Sequence, residues 1–96
     1  MYTENKLKEV ITEKFDFKID NIQKNLQSTI GNVYMIYCND NKYVIKIYND
    51  IGHTKAMVNL YKVLEENNLY IPKVIHNSLD EEYTIFEDKY IIVYSF

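Results

Sequence analysis

The sequence predicts an α+β domain: a five-stranded antiparallel sheet with helices packed on one side. Three observations carry that expectation. Apolar residues recur at helical spacing in two stretches, one near the N-terminus and one after residue 53. Much of the remaining chain is rich in Val, Ile and Tyr, which suit a pleated, half-buried surface. Tight Asn- and Asp-containing turns join these strand-like stretches, and such turns make hairpins.

Taken in order, Thr3 to Phe15 reads as a first helix, with Leu7, Val10, Ile11 and Phe15 on one stripe and Thr3 as N-cap. Its other face, with Lys6, Lys8, Glu9, Glu13 and Lys14, is a solvated face. The pattern loosens from Phe17, and a strand is expected over about Ile22 to Gln27. Ser28, Thr29, Ile30, Gly31 and Asn32 break it, because small hydroxyls and a glycine let the backbone turn and present N–H groups. Val33 to Cys38 is apolar almost throughout, as in a strand covered on both faces. Asn39-Asp40-Asn41 supplies the hairpin turn, since both residue types tolerate positive φ. Lys42 to Tyr48 closes the hairpin, with Val44, Lys46 and Tyr48 on one face and Tyr43, Ile45 and Ile47 on the other.

Asn49 to Gly52 reads as a loop. A second helix follows over about Thr54 to Asn67, its stripe being Met57, Leu60, Tyr61 and Leu64 with Ala56 and Val63 beside it. Asn67-Asn68 ends it, and Pro72 stands at a distance suited to a helix exit. Val74-Ile75 is a short extended piece and Ser78 to Glu82 a polar turn. Tyr83 to Phe86 and Tyr90 to Ser95 form a last hairpin across Glu87-Asp88-Lys89.

Composition narrows the function classes. A chain of 96 residues is one domain, too small for two lobes. A net charge of -3 excludes the basic stripe of a nucleic-acid groove. All eleven basic residues are lysine, so an anion site must use lysine and backbone N–H groups rather than an arginine fork. The lone Cys38 excludes an internal disulfide and a cysteine-paired zinc site, and reads as a buried apolar residue. No run approaches the ~18 apolar residues of a membrane span, so no membrane partner and a cytoplasmic location are expected. His53 and His76 read as surface residues, and Asp80, Glu81 and Glu82 as a solvated turn.

Lys46 is the sharpest feature. An ammonium inside an apolar strand needs an anionic partner or a path to water. A strand, a glycine-containing turn, a strand, a hairpin turn, a strand bearing a lysine and then a helix is also the layout of a kinase small lobe. The chain resembles the N-terminal lobe of the aminoglycoside phosphotransferase and choline kinase-like family of small-molecule kinases. The resemblance rests on Asn32-Val33-Tyr34, Tyr43 to Tyr48, Leu60 to Leu64, Ile71 to Ile75 and Tyr90 to Ser95, and spans roughly Ile19 to Phe96. It implies one domain, with residues 1–18 a helix and lead-in and residues 19–96 the kinase-like lobe. It implies ATP as cofactor, with Lys46 on the α- and β-phosphates, Ser28 to Asn32 as the nucleotide-covering loop and Val44 lining the adenine pocket. The implied function is the ATP-binding small lobe of a phosphotransferase acting on a small hydroxyl-bearing molecule.

Two departures from the family bear on activity. The helix glutamate that normally orients the lysine falls at Met57, and no acid occurs from Gly52 to Leu64. The catalytic Asp and the magnesium ligands belong, in the family, to a C-terminal lobe, and no His-x-Asp-x-x-x-x-Asn segment occurs here. No catalytic or metal-ligating residue is assigned, and the chain alone is expected to be inactive. Magnesium and the missing lobe would come from a continuing or separate chain. The alternative is a non-catalytic interaction or regulatory module, namely a split-kinase or pseudokinase-derived partner, or a homodimer. Val44 and the Tyr90 to Phe96 strand would leave apolar surface uncovered on the cleft side.

Overall fold

The computed structural model describes residues 4–24, 33–39, 41–67 and 71–96. Helix α1 (Glu4–Phe15) buries Leu7, Val10, Ile11 and Phe15, the stripe its spacing predicts. It places Glu4 in its first turn and Lys14 in its last, both favourable against the helix dipole. Asp16 follows at φ 55°, the left-handed conformation that commonly ends a helix. Thr3, the expected N-cap, lies outside the described residues.

Strands β1 (Asn21–Lys24), β2 (Val33–Cys38) and β3 (Asn41–Tyr48) form successive antiparallel pairs. Asn39, at φ 55°, turns β2 into β3 as the hairpin chemistry requires. The sheet continues from β3 to β6 (Lys89–Ser95) and then to β4 (Val74–Ile75), while β5 (Thr84–Phe86) also pairs with β6. The sheet thus has six strands rather than five. β4 lies opposite Val93 and Tyr94 and β5 opposite Lys89 to Ile91, so both share one edge of β6. Two residues are too few to show alternation, which is why Val74-Ile75 reads from sequence only as an extended piece. The β5–β6 turn is two residues, Glu87 and Asp88, both at positive φ, and Lys89 belongs to the strand.

Helix α2 (Ile51–Glu66) begins earlier than its periodicity predicts. Asp50 is its N-cap: the carboxylate accepts from the His53 N–H at 2.8 Å, and the Asp50 carbonyl accepts from the Thr54 hydroxyl at 2.8 Å. Asn49-Asp50-Ile51-Gly52 is therefore a cap and a first turn rather than a loop. The buried stripe is also rotated. Thr54 and Val58 are buried and Met57 and Tyr61 pack against the sheet, whereas Leu60 and Val63 are 46% and 44% exposed.

The two helices lie on opposite faces, which corrects the expectation of helices on one side. α1 packs with Tyr34, Ile36 and Cys38 of β2, Ile45 and Ile47 of β3, and Ile91 and Val93 of β6. α2 packs with Tyr48, Ile92 and Tyr94, the alternate residues of the same strands. The physical reason is that β2, β3 and β6 carry apolar residues on both faces, and each face must be removed from water. No helix among the described residues is long and apolar enough to cross a membrane.

Candidate functional site

Strand alternation sends Val44, Lys46 and Tyr48 to the α2 face, as the sequence predicts. Val44 sits between Met35 of β2 and Tyr94 of β6, and Lys46 between Val33 and Ile92. Val44 and Lys46 line one cleft of about 320 Å³ together with Tyr61, Pro72, Tyr94, Ser95 and Phe96. The lining is mostly apolar, and Lys46 is the only charged residue among the described residues that line it. The cleft thus offers apolar surface beside a single ammonium, an arrangement suited to a ligand with an apolar ring at one end and an anion at the other.

Lys46 is half-buried, and among the described residues it makes no ion pair. Its Nζ lies 5.2 Å from the centroid of the Tyr94 ring. Met57, at the position where the resemblance places an acid, packs against the cluster of Tyr48, Val58, Ile92 and Tyr94. Glu65 is directed elsewhere, to Lys73 at 3.6 Å. Ser28, Thr29, Ile30, Gly31 and Asn32, read from sequence as the nucleotide-covering loop, lie outside the described residues.

The cleft face is better covered than the sequence suggests. α2 buries Ile92 and Tyr94, and Val44 is half-buried, so of the residues expected to lie bare Phe96 is the outlier at 73% exposed. Lys42 Nζ stands 3.9 Å from the centroid of that Phe96 ring. The sequence places the Tyr90 to Phe96 strand on the cleft side and Tyr61 in the apolar stripe of the second helix, but assigns none of Tyr61, Pro72, Tyr94, Ser95 and Phe96 to the site. The parity of β6 against β3 holds a signal for Tyr94, since both strands alternate in step.

Behind the cleft, the Tyr48 and Tyr94 hydroxyls share a buried hydrogen bond at 3.1 Å, and the Tyr61 ring packs on Tyr94 at 4.7 Å. Burial pushes the Tyr94 pKa far up, and the bond to Tyr48 adds to it. Burial also raises the pKa of Tyr48, against the lowering effect of the same bond. The folded chain therefore keeps both phenolic protons where an unfolded chain, with phenols titrating near ~10, releases them. Stability from the pair is complete below about pH 10 and is lost as pH rises beyond it. Tyr94→Phe is expected to flatten the fall of unfolding free energy above about pH 10, at a cost of about 1 kcal/mol at neutral pH from the lost hydrogen bond. Urea titrations at stepped alkaline pH check this; an unchanged slope would refute it.

Elsewhere, the expected surface residues hold with detail added. His53 is exposed and sets its ring edge-on to Tyr48 at 4.9 Å, and exposed His76 places Nδ1 2.8 Å from Asp80 Oδ1. Asp80 is solvated, but Glu81 accepts from the Asn77 amide and Glu82 pairs with Lys62 at 3.4 Å. A groove of about 400 Å³ runs along this loop, lined by Lys14 and residues 80–85. No group of three or more His, Cys, Asp or Glu among the described residues could hold a metal ion. Cys38 is buried, and burial with the nearby Asp20 charge pushes its thiol pKa up, which makes it a poor nucleophile.

By sequence, the chain matches no family profile and no curated protein. By structure, it is similar to spectinomycin phosphotransferase APH(9)-Ia, solved in complex with ADP and spectinomycin, with a TM-score of 0.85 at 18% identity. The chain has the fold of a kinase-like small lobe. The likeness covers 99% of this chain and 30% of that one, so it takes in α1 as well as the sheet and α2. That neighbour is an aminoglycoside phosphotransferase, the kind of protein whose N-terminal lobe the sequence resembles. The lobe spans about 30% of the length of that relative.

Proposed function

We propose that this chain is the nucleotide-binding small lobe of a kinase-like phosphotransferase whose acceptor is a small hydroxyl-bearing molecule. The observation that carries the reading is the convergence of Val44 and Lys46 on one apolar cleft of a lobe with this fold. Val44 would line the base pocket, and Lys46 would meet the α- and β-phosphates of ATP. Ser28 to Asn32 would cover the phosphates. The neighbour's complex with ADP supports a nucleotide as the ligand class. The cleft fits one: its apolar wall suits the base, and its single ammonium suits the phosphates. Magnesium does not fit the described residues in the same way, since no carboxylate joins Lys46 in the cleft. Magnesium ligands, catalytic Asp and acceptor site would come from a C-terminal lobe, on a continuing or separate chain.

Titrating the chain with Mg-ATP by calorimetry tests the reading. Wild type is expected to bind weakly, because half of the pocket is supplied by the other lobe, and Lys46→Ala is expected to lose about tenfold of that affinity. Equal binding by the two proteins, or none by either, removes the claim for this chain.

A second reading, a non-catalytic partner or homodimer, is favoured by one observation: Met57 stands where a working lobe would place its acid, and Leu60 and Val63 on the same helix are exposed. Light scattering across concentration separates the two, since a homodimer would show twice the mass of the chain.

A further inference from the structure

No carboxylate among the described residues pairs with the cleft lysine, yet its surroundings do not leave it loose. Lys46 and Tyr94 lie on the same face of adjacent strands and are diagonal neighbours: Lys46 is opposite Ile92, and Tyr94 is opposite Val44. A diagonal pair of this kind is within reach of a lysine and an aromatic ring. The ammonium stands 5.2 Å from the ring centroid, inside the range of attraction between a cation and an aromatic face. The ring cannot swing away, because its hydroxyl is bonded to Tyr48 at 3.1 Å and Tyr61 packs on it at 4.7 Å. Tyr48 is on β3, Tyr94 on β6 and Tyr61 on α2, so two strands and a helix each contribute a ring to the clamp.

We infer that the Tyr94 ring is the positioning group for Lys46, held by Tyr48 and Tyr61 and standing in for the absent helix carboxylate. The exchange has a chemical consequence. A carboxylate neutralises the lysine as well as placing it, whereas a ring places it and leaves its charge unspent for a ligand anion. Met57 fits the same design, since an apolar side chain beside the cluster keeps competing anions and water off the ring.

The inference rests on the nucleotide reading for its purpose, but its test does not. Nuclear magnetic resonance of the full chain should show the Lys46 ε-methylene protons shifted upfield by the Tyr94 ring, with cross-peaks to its ring protons. Tyr94→Phe keeps the ring and its packing on Tyr61 but not the bond to Tyr48, so it should keep most of the shift; Tyr94→Met, which fills a similar volume, should abolish it. Absence of the shift and cross-peaks in wild type overturns the inference without any variant having to fold, and persistence of the shift in Tyr94→Met overturns it as well. Titration with ADP is the second arm. Tyr94→Met should weaken ADP by about three- to tenfold, Tyr94→Phe should weaken it less, and the Tyr94→Met loss should be smaller in a Lys46→Ala background, where only the contact of Tyr94 as part of the cleft wall is left. A Tyr94→Met loss of equal size in that background overturns the inference, since the ring would then act other than through Lys46. If wild type and Lys46→Ala fail alike to bind ADP, the nucleotide reading falls, and the ring-shift comparison still decides what holds the lysine.

Discussion

Ile45→Ala is expected to lower the unfolding free energy by about 3 kcal/mol, through lost burial and the cavity left behind. Ile45 is fully buried on β3, opposite Tyr34 of β2 and Val93 of β6, in the core that α1 closes. Its surroundings come from three strands and a helix, so the site collapses poorly when the side chain is removed. A domain of this size has only about 5–15 kcal/mol to lose. The denaturation midpoint should fall with an unchanged slope against urea. The adjacent Lys46→Ala is expected to do the reverse, changing stability little and ligand binding strongly. Lys46 is half-exposed and has no ion partner among the described residues. On the proposed function, one step along the strand would separate a residue that serves folding from one that serves binding. Equal stability losses at positions 45 and 46 would contradict this assignment of faces.

Asn77→Ala is expected to cost about 3 kcal/mol, an unusually large effect for a residue in a loop. The side chain is buried and works in both directions. Its carbonyl accepts from the backbone N–H groups of Leu79 and Glu81 at 3.0 Å each, and its amide donates to Glu81 Oε1 at 2.9 Å and Thr84 Oγ1 at 3.0 Å. Its backbone N–H donates to the Glu81 carbonyl as well. Truncation leaves the buried Thr84 hydroxyl and the part-buried N–H groups of Leu79 and Glu81 without their partner, which costs more than the bonds themselves contribute. Asn77→Asp separates the two functions. It keeps the acceptor for the backbone but faces a carboxylate with a carboxylate, so its deficit should shrink as pH is lowered through the carboxyl range. Thermal unfolding at pH 7 and pH 4 reads the difference, and equal deficits at both would sink the proposed role of the amide donor.

These two residues also mark the limits of what the sequence discloses. Ile45 was legible, because period-two alternation from Tyr43 to Tyr48 divides the strand into two faces whatever surrounds it. The hairpin before it was legible too, since an Asn-Asp-Asn turn has few alternatives. Asn77 was not legible. It reads as one more polar residue beside a surface histidine, and nothing in its neighbours shows that a loop will fold around it. The start of α2 was hidden because Asn49 to Gly52 has the composition of a turn, while the N-cap itself is a residue type common to both. The rotation of its stripe was hidden because Leu60 and Val63 outrank Thr54 in hydrophobicity, yet packing chose Thr54, Met57, Val58 and Tyr61. The opposite placement of the helices was partly legible in the unbroken apolar run of β2, which sits badly with a one-sided cover. Of the candidate site, alternation put Val44 and Lys46 on one face, and the resemblance to a kinase small lobe singled them out. The aromatic clamp required knowing which strand lies beside β3, a long-range fact carried by no local pattern.

The position of β6 has a consequence for how the domain comes into being. It follows the other described strands in sequence, yet it pairs with β3 on one side and with β4 and β5 on the other. Until those seven residues leave the ribosome, the β1–β2–β3 meander ends in an open edge, and β4 and β5 have no template at all. The sheet therefore cannot zip up progressively behind the growing chain; it closes in a late event that joins distant segments, which slows folding relative to a local hairpin. During that interval Ile45, Ile47 and Tyr48 stand exposed on a strand rich in β-forming residues, and the nascent chain is most open to mispairing or capture by a chaperone.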